Sequence, residues 1–73
     1  MYIFTQRLNG LIDERRITKY KLAKDLGVNK QTVLFWCDGI NEPKISHLKI
    51  IAEYFDVSAD YLIGLENEDG SRS

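Results

Sequence analysis

Residues 18–36, TKYKLAKDLGVNKQTVLFW, decide the fold of this chain, because they contain the signals for two short helices and the turn between them. Thr18 is a favoured helix N-cap, since its side-chain oxygen can accept a hydrogen bond from a backbone N–H in the first turn. The pattern predicts a helix over residues 19–26. Gly27 follows it, and glycine commonly takes the left-handed conformation that ends a helix.

A second helix start follows the glycine after one residue. Asn29 is another strong N-cap, and it predicts a helix over about residues 30–37, which ends at the turn-forming pair 38–39. Val33 and Trp36 lie three positions apart in this helix, so their side chains share one face and are expected to be buried.

Two helices joined by a short, glycine-containing turn form the helix-turn-helix arrangement, whose second helix can lie in a DNA major groove. The small Ala23 fits this arrangement, because closely crossing helices need a small side chain where they meet. A helical hairpin without any role in DNA binding can carry the same caps. The helical pattern alone therefore leaves both alternatives open.

Three further helices are predicted around this pair. Ser58 repeats the N-cap signal and Gly64 the end signal of a short fifth helix, while residues 1–16 and 44–55 have helical hydrophobic periodicity. The core residues expected from that periodicity are Phe4, Leu8, Leu11, Ile12, Ile45, Leu48, Ile51, Ala52 and Phe55. The chain is therefore predicted to be all-α with five helices.

Composition limits the chain to one small domain. It has 73 residues, 44% of them hydrophobic, which suffices for a single helical core. The single Cys37 excludes an internal disulfide and a cysteine-based zinc site. We find neither a signal peptide nor a membrane span, and therefore expect a cytoplasmic protein without a membrane partner.

No sequence pattern supports catalysis. The chain has no glycine-rich phosphate loop, no nucleophile and base at a recognisable spacing, and no cluster of metal ligands. His47 stands alone, and a surface or capping role suits it better than metal binding. We expect no enzyme activity, no cofactor, no metal and no small-molecule substrate.

The charge distribution favours the predicted helix pair as the anion-binding part of the chain. The net charge is −1 and the pI near 5.7, which by themselves do not indicate a nucleic-acid partner. Between residues 18 and 36, however, four lysines stand against one aspartate, a local charge of +3. This modest charge predicts weak non-specific affinity for DNA, which a dimer would strengthen.

The chain resembles the lambda-repressor-like, or Xre-type, helix-turn-helix domain of bacterial and phage regulators. LAKDLGVNKQTVLFW over residues 22–36 matches the helix-turn-helix core of that family, and AEYFDVSADYLIG over residues 52–64 is similar to its last two helices. The resemblance covers roughly residues 4–65, and it implies a five-helix fold with the helix-turn-helix formed by the second and third helices.

The resemblance also implies which residues contact bases. Lys30 and Gln31 occupy matching positions in the first turn of the third helix, where Lys30 can donate to guanine and Gln31 can pair with adenine. Leu34 and Phe35 lie one turn further on, where the family more commonly has small polar or basic residues. They are open to three interpretations: contact with thymine methyl groups, contact with a protein partner, or a purely structural role.

Phosphate contacts and a dimer contact are implied in the same way. Thr18 and Lys19, at the start of the second helix, match positions that approach a phosphate, and the loop before the fourth helix offers Asn41 and Lys44. The fifth helix leaves three apolar side chains for a dimer or partner interface, namely Tyr61, Ile63 and Leu65.

These expectations predict a sequence-specific DNA-binding transcriptional regulator of the phage repressor or Cro type that acts as a homodimer. The alternative is a small helix-turn-helix-shaped modulator or antirepressor, which binds another regulator protein through the apolar surface of its third helix. We expect the domain to occupy residues 1–65 and the acidic segment 66–73 to be a disordered tail that ends in a possible cloning remnant.

Overall fold

The computed structural model describes residues 2–67, which form five α-helices. In chain order these are α1 (Tyr2–Arg15), α2 (Lys19–Leu26), α3 (Lys30–Cys37), α4 (Ile45–Phe55) and α5 (Ala59–Ile63). The predicted all-α, five-helix fold is confirmed. A three-residue turn, residues 27–29, joins α2 to α3 and produces the helix-turn-helix.

The predicted caps form the starts and ends of the short helices. In each N-cap the side-chain oxygen accepts a hydrogen bond from a first-turn N–H: Thr18 from Lys21 at 3.0 Å, Asn29 from Gln31 at 2.8 Å, and Ser58 from Tyr61 at 2.9 Å. Gly27 and Gly64 take left-handed conformations, with φ of +74° and +90°. Local chemistry therefore sets the lengths of α2 and α5, as the sequence predicted.

One hydrophobic core joins all five helices. Trp36 of α3 is its largest side chain, is only 1% exposed, and meets Phe4 of α1 edge to face with 6.4 Å between ring centroids. The buried set is Phe4, Leu8, Leu11, Ile12, Leu22, Ala23, Val33, Trp36, Cys37, Ile51, Ala52, Phe55 and Leu62. It includes every core residue predicted in α1 and the predicted buried pair of α3, so α3 is held by its inner face.

The core prediction for α4 is wrong at one residue. Ile45 is 87% exposed, although it lies at helical spacing from Leu48 and Ile51. Ile45 is the first residue of α4, and the helices that cover the apolar stripe do so only from Leu48 onward. Periodicity identifies the apolar stripe of a helix, but it does not show how far along that stripe the neighbouring helices extend.

Polar side chains of α1 satisfy the C-terminal carbonyls of α3. Thr5 Oγ1 donates to the Trp36 carbonyl and Asn9 Nδ2 to the Cys37 carbonyl, each at 3.0 Å. The last carbonyls of a helix have no partner within it, so these two bonds both satisfy and position the end of α3. The first helix thereby fixes the orientation of the helix-turn-helix.

Two arginines of α1 donate hydrogen bonds to carbonyls at the C-terminal ends of α5 and α4. Arg7 donates to the carbonyls of Tyr61 and Glu66, at 3.0 and 2.9 Å, and Arg15 donates to the Phe55 carbonyl at 2.7 Å. Arg15 lies in the last turn of α1, and its guanidinium caps the C-terminal end of α4. A cation at that end of a helix is favoured by the helix dipole.

The segment after α5 begins in an ordered conformation. Besides the bond from Arg7, the Glu66 carboxylate accepts a hydrogen bond from the Ser58 hydroxyl at 2.6 Å. Glu66 thus contacts the folded domain, although we had placed the domain boundary at residue 65. Residues 68–73, the rest of the expected tail, lie outside the described part of the chain.

Candidate nucleic-acid interface

Helix α3 presents an exposed first turn. Its inner face, with Val33, Trp36 and Cys37, is buried, whereas the side chains of Lys30 and Gln31 are exposed to solvent. The Gln31 side chain is exposed and no hydrogen bond of its amide is described within residues 2–67, so that amide is available for an external partner. The first turn therefore exposes both of the side chains that were expected to contact bases.

Leu34 and Phe35 continue this surface one turn further along α3, but with less exposure. Both side chains are partly buried, and neither belongs to the core or to the partly buried side chains that pack against it. Their edges remain accessible to a thymine methyl group or to an apolar surface of another protein.

Thr18 and Lys19 begin α2, Thr18 as its N-cap and Lys19 as its first residue. Burial raises the pKa of the Cys37 thiol at the end of α3, and the positive charge of Lys19 opposes that rise. Thr18 is exposed, and its hydroxyl oxygen accepts the capping bond while its proton remains available to donate. Both residues can therefore serve a phosphate as donors.

The loop between α3 and α4 has opposing charges. Asn41 and Lys44 are exposed there, and Lys44, whose ammonium has no acceptor for a capping bond, is the N-cap residue of α4. Glu42 is exposed as well. Any phosphate contact at this loop would have to avoid the Glu42 carboxylate, which limits the approach to Asn41 and Lys44.

The four lysines of the helix-turn-helix differ in availability. Lys21 forms an ion pair with Asp25 at 3.1 Å, and this pairing raises the pKa of Lys21. Lys19, Lys24 and Lys30 form no ion pair with a carboxylate within residues 2–67. The positive charge offered to an anion is consequently that of three lysines, not four.

Lys30 contacts an aromatic ring across the turn. Its Nζ lies 5.8 Å from the ring centroid of Tyr20, which is the second residue of α2 and is 62% exposed. Sequence reasoning did not place Tyr20 in the site, because a lone tyrosine on a short helix has no distinguishing pattern. Only the crossing of α2 and α3 brings the two side chains together.

The three residues expected at a dimer interface have different environments. The Tyr61 ring packs against the core and beneath the Arg7 guanidinium, 4.3 Å from its centroid, whereas Ile63 is partly buried. Leu65 is 50% exposed. The structure brings the three to one end of the molecule, where Leu65 offers the most accessible apolar surface.

Metal ligands, membrane-spanning helices and the lone histidine were also considered in the sequence. No group of three or more His, Cys, Asp or Glu side chains among them is arranged to hold a metal ion, and none of their helices is long and apolar enough to cross a membrane. His47 packs against Trp36, with 5.3 Å between ring centroids. Packing was not the role we had predicted for it.

A model of the helix-turn-helix family matches residues 11–62, a segment that includes α2, α3 and α4 completely. This chain belongs to the lambda-repressor-like helix-turn-helix family. The predicted resemblance is confirmed, and the capped pair α2 and α3 described above is the structural basis of the match.

Relatives and solved structures support the same assignment. An uncharacterised HTH-type transcriptional regulator of Bacillus subtilis, YobD, is 30% identical over 66 residues, which are 90% of this chain and 59% of YobD. The chain therefore spans about three fifths of that relative.

Two solved structures are similar in fold and sequence. The solution structure of the SOS-response transcriptional repressor LexA from Eubacterium rectale has a TM-score of 0.85 at 32% identity, covering 99% of this chain and 74% of that one. The crystal structure of a transcriptional regulator from Listeria innocua has a TM-score of 0.80 at 32% identity, covering 89% and 61%.

Proposed function

We propose that this chain is a sequence-specific DNA-binding domain of a transcriptional regulator, with α3 as the helix that enters the major groove. The observation that carries the proposal is the arrangement of α3: its inner face is anchored by Trp36, and its first turn exposes Lys30 and Gln31. A helix held in this way can present the same side chains in the same geometry at each DNA site.

Each exposed residue has a chemically defined role in this proposal. The Lys30 ammonium donates to guanine O6 or N7, and the Gln31 amide pairs with adenine N6 and N7. Leu34 and Phe35 contact thymine methyl groups through their accessible edges. Phosphate contacts, which position the domain without selecting a sequence, come from Thr18, Lys19, Asn41 and Lys44.

The proposal includes a two-fold dimer of the repressor or Cro type that blocks promoter access. The longest dimension of the folded chain is 32 Å, close to the 34–36 Å that separates half-sites one DNA turn apart. One copy therefore suits one half-site. Lys19 and Lys44 are the two lysines assigned to phosphates in each copy, so one copy makes few charged phosphate contacts and a dimer doubles their number.

A second candidate function rests on the apolar side chains that remain exposed near α3. Ile40 in the following loop is 63% exposed and Ile45 at the start of α4 is 87% exposed, in addition to the accessible edges of Leu34 and Phe35. Exposed apolar residues of this kind are typical of protein interfaces. Under this alternative the chain is a modulator or antirepressor that binds another regulator protein.

Selection from a randomised duplex pool separates the two functions. We expect enrichment of a near-palindromic motif, and we expect its affinity to fall steeply between about 50 and 200 mM salt. Lys30→Ala and Gln31→Ala should abolish preference for the motif, whereas Lys49→Ala, a matched change at an exposed lysine of α4, should leave it intact.

A selection that enriches no duplex would also distinguish the two functions. If no duplex is enriched at either salt concentration, the DNA-binding proposal fails. If Leu34→Ala and Phe35→Ala then abolish capture of a regulator protein while Lys30→Ala does not, the modulator function is supported instead. Thermal unfolding of every variant is needed beside these assays, because Leu34 and Phe35 are partly buried.

A further inference from the structure

Tyr20 is an exposed aromatic residue that lies outside the hydrophobic core. Its side chain is 62% exposed, and it belongs neither to the buried core nor to the partly buried residues packed on it. What it does contact is the Lys30 ammonium, 5.8 Å from its ring centroid. That separation is within the range in which a cation is attracted to the face of an aromatic ring.

The position of Lys30 at the start of α3 makes such a contact favourable. Lys30 is the first residue of α3, where the positive end of the helix dipole disfavours a cation. No carboxylate among residues 2–67 pairs with it. A lysine side chain is also a flexible point charge, so an unrestrained Lys30 would sample many positions around the N-terminus of α3.

The ring of Tyr20 restrains Lys30 without consuming its donors. An ammonium has three N–H donors, and contact with a ring face leaves at least some of them directed elsewhere. Because Tyr20 lies on α2, which packs against α3, the ring holds the ammonium from outside its own helix. Such a restraint reduces the conformational entropy that Lys30 would lose on binding a base.

We infer that Tyr20 is a positioning residue for Lys30, and through Lys30 a determinant of base preference at the position that Lys30 contacts. The inference rests on the proposed function, since it specifies how one base contact is organised. It assigns Tyr20 no direct contact with DNA. The aromatic face, not the hydroxyl, is the part of Tyr20 that acts.

A double-mutant cycle tests this inference on the selected duplex. Lys30→Met first identifies the base pair at which sequence preference is lost. The readout is then the dissociation constant of a duplex changed at that base pair, divided by the dissociation constant of the selected duplex. Tyr20→Leu should reduce this ratio about two- to fivefold, the size of an exposed cation–π contact. Tyr20→Phe keeps the ring and should preserve the ratio, and in the Lys30→Met background Tyr20→Leu should have no further effect.

A readout without DNA checks the geometry separately. The side-chain methylene protons of Lys30 should show ring-current shifts by NMR, which persist in Tyr20→Phe and disappear in Tyr20→Leu. The thermal midpoint should stay nearly unchanged in both variants, because the ring is outside the core.

Three results would overturn the inference while leaving DNA binding established. Tyr20→Leu could weaken all duplexes equally, it could act as strongly in the Lys30→Met background, or Tyr20→Phe could be as defective as Tyr20→Leu. The first two indicate a contact independent of Lys30, and the third indicates a role for the hydroxyl. If the wild-type chain enriches no duplex at all, the proposed function fails together with this inference, so the two failures are distinguishable.

Discussion

Arg7 joins the C-terminal end of α5 to the first helix. Its guanidinium donates to the carbonyls of Tyr61 and Glu66 and covers the Tyr61 ring. Arg7→Met removes both charge-assisted bonds, and we expect the free energy of unfolding in urea to fall by about 2 kcal/mol. Arg16→Met is the matched control, because Arg16 is exposed and no hydrogen bond of its side chain is described. Equal losses in the two variants would contradict this role of Arg7.

Gly64 needs both its left-handed conformation and its missing side chain. A Cβ at this position would lie 3.1 Å from Cγ1 and 3.2 Å from Cγ2 of Ile3, whereas a Cβ at Gly27 would meet nothing within 4 Å. Gly27→Ala should therefore cost only the left-handed penalty, about 1–2 kcal/mol. Gly64→Ala should cost roughly 1 kcal/mol more, because Ile3 must shift. Chemical denaturation of both variants measures the difference, and equal costs would show that Ile3 moves aside freely.

At the scale of elements, α1 is the scaffold of the domain. Its apolar stripe enters the core, and its polar side chains satisfy the C-terminal carbonyls of three other helices. Unpaired terminal carbonyls are costly when they are removed from water, so these bonds favour one arrangement of the helices over others. Helix α3 is held at its C-terminal end by Thr5 and Asn9, which leaves its N-terminal turn as the exposed end.

A polar contact joins α2 to α4 and should make stability depend on pH. The Tyr54 hydroxyl donates to Asp25 Oδ2 at 2.7 Å, and the Lys21 ammonium lies 3.1 Å from the same oxygen. Together they hold the pKa of the Asp25 carboxyl below its usual range. A lowered pKa means that the folded state favours the ionised carboxylate. The stabilisation is therefore complete above the pKa of the unfolded chain, about 4, and is lost as the pH falls through the lowered folded value.

Asp25→Asn should reveal this dependence in thermal unfolding. We expect the variant to unfold at a lower temperature than the wild type at about pH 7, and we expect the difference to shrink as the pH falls below about 4. Glu53→Gln, at an exposed acid of α4 for which no partner is described, is the control. A difference between wild type and Asp25→Asn that stays constant with pH would rule out this contact as the source.

At the scale of the whole molecule, the proposed dimer depends on the end of the chain after α5. Leu65 is the most accessible of the three predicted interface residues, at 50% exposed. Leu65→Asp should weaken self-association by at least about tenfold, because it places a charge where the dimer would bury the apolar side chain of Leu65. Sedimentation equilibrium measures this effect, and the thermal midpoint at low concentration should change little.

Ile45→Asp is the matched control for the dimer prediction. Ile45 is an exposed apolar residue at the start of α4, outside the α5 end, and its replacement should leave self-association unchanged. If Ile45→Asp weakens association and Leu65→Asp does not, the interface includes the start of α4 instead of the segment after α5. A wild-type chain that is monomeric at every accessible concentration would contradict the dimer itself.

The sequence by itself determined the helices and the helix-turn-helix. Thr18, Asn29 and Ser58 act on backbone groups within three residues, and Gly27 adopts a conformation that depends on its own missing Cβ. Such signals are local, so one sequence without a structure suffices to recognise them. The buried stripe of α3 follows from helical spacing in the same way. The family match confirms the interpretation that these signals supported.

The tertiary structure decided everything that depends on residues distant in the chain. Arg7 caps a helix end 54 residues away, and no sequence pattern relates it to Tyr61. Tyr20 and Lys30 meet only because α2 crosses α3, and Ile45 is exposed only because no helix covers the start of α4. Helical spacing determines which face of a helix is apolar. The packing of whole helices determines which parts of that face become core and which remain available to a partner.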